Sequence, residues 1–166
     1  MKGRKGGETS GMGAAQNRFP WPPVVFGASA ALAVLLHVAW PLPWFGTPFA
    51  DFLFAVGLLL GLAAAVLAVA ALRALRGAGT TVLHRRAVDH LVTGGPFALS
   101  RNPIYLAAAL LMTAAALVLG IAWFLPAAVL AGFVTHLLSI SHEERHLADR
   151  FGKRYRDYQK RVRRWI

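Results

Sequence analysis

Apolar and polar positions are segregated along this chain into blocks longer than any helix or strand of a soluble core. Phe19 to Ala50, Phe52 to Leu72 and Asn102 to His142 contain no Asp, Glu, Lys or Arg. A helix crossing the hydrocarbon of a bilayer needs roughly 20 apolar residues. The first two blocks therefore predict one span each, Val24 to Trp40 and Phe52 to Leu72. The third block, 41 residues from Asn102 to His142, is long enough for two. Gly120 and Pro126 supply its break, because proline is tolerated in the first turn of a new helix. The expected fold is all-α: a polytopic membrane protein of about four transmembrane helices. Its last two form a hairpin, one arm starting at Pro103 and the other running from about Leu125 to Ser141 and on into Glu143.

The residues at the ends of these spans agree with that reading. Pro20, Pro22 and Pro23 mark the entry to the first span, and Pro41 with Pro43 ends it. Trp21 and Trp40 belong at opposite interfaces, as an aromatic belt requires. Asp51 precedes the second span and Arg73 and Arg76 follow it, the signs that a helix dipole favours. Gly57 and Gly61 form a GxxxG pair that admits a close neighbouring helix, although a segment so rich in alanine also produces such pairs by composition. Pro103 suits the first helical position, with Asn102 before it as a cap. Beyond the last span, Leu147, Phe151, Tyr155, Tyr158, Val162 and Trp165 recur at three- or four-residue intervals with Arg and Lys opposite. This predicts an amphipathic tail at the membrane interface, broken at Gly152, with its apolar face in lipid or against the other helices. An ordinary packing helix is the plainer alternative. Residues 1–17, rich in Gly and charge, predict a disordered basic tail. The organisation is then 1–17 tail, 18–76 two spans, and 77–166 the region that carries chemistry.

Composition and charge add direction. With 57% hydrophobic residues, a mean hydropathy of +0.51 and no cysteine, a soluble enzyme, a disulfide framework and a zinc–thiolate site are all disfavoured. A secretory signal peptide shares the outline of a basic start and an apolar run, but this run begins late and further apolar segments follow it. The net charge of +11 lies in three blocks: Lys2 to Arg18, Arg73 to Arg101, and Arg145 to Arg164. Cytoplasmic loops retain Lys and Arg, so four crossings with both termini in the cytoplasm satisfy the asymmetry. Anionic lipid headgroups are the expected partner of the basic tail, and nucleic acid is not. An excess of Arg over Lys points to a bacterial inner membrane.

Candidate chemistry gathers in two polar islands, Asp89 to Tyr105 and Ser139 to Glu144, at opposite ends of the hairpin. If the hairpin is antiparallel, both return to one level. Arg101 and Asn102 stand before a helix N-terminus, where free NH groups and the dipole attract a carboxylate. Glu143 and Glu144 suit an ammonium, a sulfonium or ribose hydroxyls. Together the islands form a cradle for a zwitterion; alternatively, Arg101 pairs with a glutamate merely to hold the hairpin closed. His136, two turns before Glu143, is the one titratable group within the last span, with helix contact as its simpler role. No metal is expected.

These residues resemble the isoprenylcysteine carboxyl methyltransferases and related phospholipid methyltransferases of membranes. The matching text is His90-Leu91-Val92-Thr93, Gly95-Pro96-Phe97, Arg101-Asn102-Pro103-Ile104-Tyr105, Glu143-Glu144, Phe151-Gly152 with Tyr155 and Tyr158, and the ending Arg-Val-Arg-Arg-Trp. The resemblance covers Gly79 to Ile166. It implies a methyltransferase using S-adenosyl-L-methionine, bound at the cytoplasmic end of the hairpin, with a lipid-like or prenylated acceptor arriving from the bilayer. His90, Leu91, Val92, Gly95 and Phe97 would line the cofactor pocket and Asn102, Pro103, Ile104 and Tyr105 its floor. Glu143 would hold the cofactor's polar end, and Arg101, Glu143 and Glu144 are the catalytic candidates. Ser139 and His136 are the acceptor-side candidates. Two departures matter: Asn102 stands where many eukaryotic members have His, and Ser139 where they place an Arg that contacts the substrate. The acceptor is thus open between a carboxylate and an amine. Two other classes compete, an NADPH-dependent membrane reductase of the sterol-reductase type and a non-enzymatic scaffold binding anionic lipid.

Overall fold

Long uninterrupted apolar segments with alanine at their contact positions dictate helices that meet through small residues. The computed structural model describes residues 21–78 and 91–166; the tail expected at 1–17 and His90 lie outside them. The helices are α1 (Trp21–Ala39), α2 (Phe49–Gly77), α3 (Pro103–Leu119), α4 (Phe124–Thr135), α5 (Ser141–Phe151) and α6 (Lys153–Arg161). A single 3-10 turn occupies Gly95–Ala98, and a π-helical turn, His136–Ile140, joins α4 to α5. There is no strand among the described residues. Because the π turn does not interrupt the rod, α4 and α5 form one helix from Phe124 to Phe151. That rod, α1 and α2 are each long and apolar enough to cross a bilayer. With 17 residues, α3 rises about 25 Å at 1.5 Å per residue, enough for a short span.

The hairpin of α3 and α4 lies at the centre, with α2 packed along α3 and α1 along α4. Phe26 and Ala33 of α1 join Met112, Ala116, Phe124, Ala128 and Ala131 in the core. Outward positions are large and apolar, such as Leu35, Leu59, Leu62 and Val129. A contiguous surface of that kind is stable only in lipid. Gly57 shows why α2 can lie so near α3: a Cβ there would come within 2.8 Å of the Leu117 Cβ and 2.9 Å of the Val118 Cγ2. The GxxxG pair is therefore a helix contact, with Gly61 facing Ala114 less tightly, at 3.5 Å.

The hairpin breaks where the sequence places the break. Gly120 has φ 66° and closes α3, and the Trp44 ring covers it. Pro126 falls in the first turn of α4, where no NH is missed. Nearby, the Trp123 indole Nε1 donates to the Trp40 carbonyl at 2.8 Å, tying the end of α1 to the start of α4. Two bounds differ from expectation. Helix α1 starts at Trp21, taking Pro22 and Pro23 into its first turn, and α2 extends from Phe49 to Gly77, beyond the uncharged block. Helix geometry persists past the hydrocarbon limit because backbone hydrogen bonds do not depend on lipid.

Candidate functional site

Chain direction alone brings the two polar islands together: α3 leaves the basic side at Pro103 and the α4–α5 rod returns to it. In the first turn of α3, the Tyr105 hydroxyl donates to Glu143 Oε1 at 2.9 Å. One residue along, Glu144 turns to a different set of partners. Its carboxylate accepts from Arg164 Nε at 2.9 Å and Nη2 at 2.6 Å, a bidentate fork. Arg101 Nη1 stands 3.3 Å from Glu144 Oε1, an ion-pair contact without hydrogen-bond alignment. Among the described residues the adjacent glutamates thus meet different partners, Glu143 a phenol and Glu144 two guanidinium groups.

The π turn sets this division. A π turn holds one more residue than an α turn, so the side chain eight positions on, rather than seven, returns to the same face. The sequence places His136 above Glu143; in the structure it faces Arg164, the partner of Glu144. The Arg164 Nη1 to His136 Nε2 distance is 3.3 Å. Arginine can only donate, so Nε2 accepts and the proton resides on Nδ1. That Nδ1 is buried without a hydrogen-bond partner among the described residues. Ser141 Oγ donates to the His136 carbonyl at 3.1 Å, an oxygen that the Ser141 backbone NH also reaches across the widened turn.

Arg164 arrives from the end of the chain. After α6 the backbone becomes extended at Val162 and crosses the mouth of the hairpin. Arg101 NH donates to the Arg163 carbonyl at 3.0 Å, and Ser100 Oγ and Asn102 Nδ2 donate to the Arg164 carbonyl at 3.1 and 3.2 Å. Asn102 occupies the cap position but its side chain does not cap α3; the amide is spent on this strap. The amphipathic face of the tail also turns to protein: Tyr155 and Tyr158 are buried, and the Tyr158 hydroxyl donates to the Phe97 carbonyl at 2.5 Å. Between the two settings expected for that face, contact with the protein is the one adopted at these tyrosines. Opposite, Arg145, Arg154, Arg156, Lys160, Arg161 and Arg163 are exposed.

Burial pushes the Tyr158 phenol up to about 12, the Tyr155 phenol opposing its ionisation further and Arg101 favouring it. The Tyr155 phenol is raised as well, by burial first and then by the Glu144 charge. The hydrogen bonds that it donates to Glu144 raise the Arg164 guanidinium further above its ordinary value. Arg101, Glu144 and Arg164 together carry one net positive charge.

Two cavities meet at Arg164. A cleft of about 540 Å³ lies between α3 and α4, walled by Ala109, Thr113, Val129, Gly132 and Phe133, with His136, Arg164 and Trp165 at its basic end. A smaller cleft of about 230 Å³ on the basic side is lined by Ser141, Glu144, Arg145, Ala148, Gln159 and Arg164.

Of the residues singled out in the sequence, Arg101, Tyr105, Glu143 and Glu144 converge at the mouth. Pro103 is buried at the start of α3 with Ile104 half-buried beside it, and Leu91, Val92, Gly95 and Phe97 belong to the segment leading to it. Ser139, 1% exposed within the π turn, lines neither cavity. The residue that sequence reasoning overlooked is Arg164; its only signal was the Arg-Val-Arg-Arg-Trp ending. Among the described residues no cluster of His, Asp and Glu is fit to hold a metal.

A family model described as phospholipid methyltransferase matches residues 52–154, well over half of the chain, from α2 to the start of α6. No curated protein and no solved structure matches.

Proposed function

The chain belongs to the phospholipid methyltransferase family, and from that premise we propose that it moves a methyl group from S-adenosylmethionine to a lipid-like acceptor at the basic mouth of the α3–α4 hairpin. One observation carries the reading: at the basic end of the family-matched region, the Tyr105–Glu143 pair stands beside the Arg101–Glu144 pair, which Arg164, from beyond the match, completes. These donor sets suit the two ends of a zwitterion. Glu143 is the group for an ammonium or ribose hydroxyls, and the net positive arginine cluster is the group for a carboxylate.

The cofactor, when bound, supplies a methyl group on a positively charged sulfur, which needs no further activation. The protein's share is then to hold the reactants in line and keep water out. Tyr105 fixes the Glu143 carboxylate by donating to it, so the anion is oriented before any ligand arrives. The strap at Arg163 and Arg164, together with buried Tyr155 and Tyr158, covers the mouth with protein. His136 has its basic nitrogen committed to Arg164. It therefore offers no lone pair for deprotonating an amine, which favours an acceptor that needs no base. The basic side faces the cytoplasm of a bacterial inner membrane in this reading, with the exposed cations of α5 and α6 on anionic headgroups.

The test is calorimetric binding of S-adenosylhomocysteine to the full chain in nanodiscs. Wild type should bind, and Glu143→Gln should bind at least about tenfold more weakly, as loss of a charge-assisted hydrogen bond implies. A wild-type protein that ignores this ligand but binds NADPH refutes the proposal in favour of a reductase.

A further inference from the structure

The cleft between α3 and α4 has a chemistry that the methyl-transfer reading does not itself require. Its walls are hydrocarbon. Even Thr113 contributes no free polar group, since its hydroxyl donates to the Ala109 carbonyl one turn below at 3.0 Å. Gly132 keeps the cleft open from the α4 side: a Cβ there would meet only the Trp165 ring, at 3.8 Å. The cleft opens sideways into the bilayer past Val129 and Phe133, which are 75% and 59% exposed. Thr113 lies ten residues above Pro103, a rise of about 15 Å, so the cleft reaches about half-way through a hydrocarbon core of about 30 Å.

At the basic end the character changes abruptly. Arg164 is the cation that a molecule in the cleft meets first, its side chain 37% exposed where that of Arg101 is 12%. Glu144 engages Nε and Nη2 of Arg164 and leaves Nη1 on the cleft side beside His136. One carboxylate shared by two guanidinium groups leaves a net positive charge, which attracts an anion and repels a cation. At about 540 Å³ the cleft is in the range of pockets for a single drug-sized molecule, which is room for one chain rather than two.

We propose that the α3–α4 cleft binds a single-chain amphiphile with an anionic head, its chain between Ala109 and Gly132 and its head on Arg164. As the acceptor's docking groove this rests on the methyltransferase reading, because Arg164 also lines the smaller cleft on the basic side; as a lipid site it stands without it.

The experiment uses the full chain in phosphatidylcholine nanodiscs and a laurate analogue with a diazirine at the chain end. Photolysis and peptide mapping should place the label on the α3 and α4 segments around Thr113 and Val129. Gly132→Leu fills the cleft from one wall and Ala109→Leu from the other. Each should reduce labelling at least about tenfold, while S-adenosylhomocysteine binding stays at the wild-type level. Arg164→Gln should reduce labelling, and Arg164→Lys should restore part of it. Dodecyl phosphate should compete as laurate does, whereas acetate, free phosphate and dodecyltrimethylammonium should not. Labelling that ignores both filling substitutions, or equal competition by the cationic amphiphile, overturns the groove. Competition by acetate or free phosphate overturns the requirement for a chain. A wild-type protein that is labelled as expected but fails to bind S-adenosylhomocysteine removes the cofactor reading and leaves the groove in place.

Discussion

Glu144→Ala removes the one anion that two arginines share, and the structure sets the size of the loss. Glu144 is 8% exposed, and the Arg101 side chain 12%. Leaving a buried charge without its partner costs about 3–5 kcal/mol. Arg164 contributes less, because its side chain is 37% exposed and water screens what it loses, so its share is no more than about 1 kcal/mol. The expected total is therefore about 4 kcal/mol, concentrated in the contact between α5, the strap and the loop before α3. Unfolding in bicelles by added dodecyl sulfate, followed by tryptophan fluorescence, measures it, with Trp165 beside the cluster as a local reporter. The combined variant Arg101→Met, Glu144→Leu, Arg164→Met removes all three charges and should recover most of the loss, since apolar replacements avoid the desolvation that the ions suffer. A loss below about 1 kcal/mol for Glu144→Ala would mean that the cluster behaves as a solvated surface pair, and the account of Glu144 as a structural anion would be wrong.

Glu143→Gln and Tyr105→Phe should each cost less in unfolding than Glu144→Ala, because neither removes the anion that Arg101 and Arg164 share, while weakening S-adenosylhomocysteine binding in calorimetry; equal effects at Glu143 and Glu144 would erase the division between them. Gly57→Val should destabilise the α2–α3 contact by about 1–3 kcal/mol, the usual cost of overpacking, read in the same dodecyl sulfate titration, whereas Gly27→Val, with nothing within 4 Å of its Cβ position, should be neutral. Tyr158 gives a pH dependence. Its folded-state pKa of about 12 lies above the ordinary value of 10.0, so the unfolded phenol ionises first as pH rises and stability declines from about pH 10 to about pH 12. Tyr158→Phe should flatten that alkaline decline in a melting series, and an unchanged profile would refute the burial argument.

Those contrasts also mark where sequence reasoning reached and where it stopped. The adjacent glutamates were recognisable as a candidate pair, but nothing in a Glu-Glu dipeptide separates the residue on Tyr105 from the residue between two arginines. The separation comes from the π turn at His136–Ile140. Its single extra residue rotates everything after it, and apolar periodicity, which is the same on either side, does not record such a shift. The strap is equally hidden. Ser100 and Arg164 are 64 positions apart, and their contact depends on α6 packing back on the loop, which no local pattern encodes.

By itself the sequence determined what depends on composition and short range: helices long enough for the bilayer, a hairpin broken at Gly120, a tail broken at Gly152, and two polar islands returned to one level by chain direction. Lipid permits little else, because every backbone polar group within it must be satisfied by the helix itself. Tertiary structure alone decided which carboxylate meets which cation, that Asn102 serves the strap rather than the cap, and that an apolar cleft ends on Arg164. These are relations between segments far apart in the chain, set by how side chains of particular sizes pack, and they exist only once the helices have met.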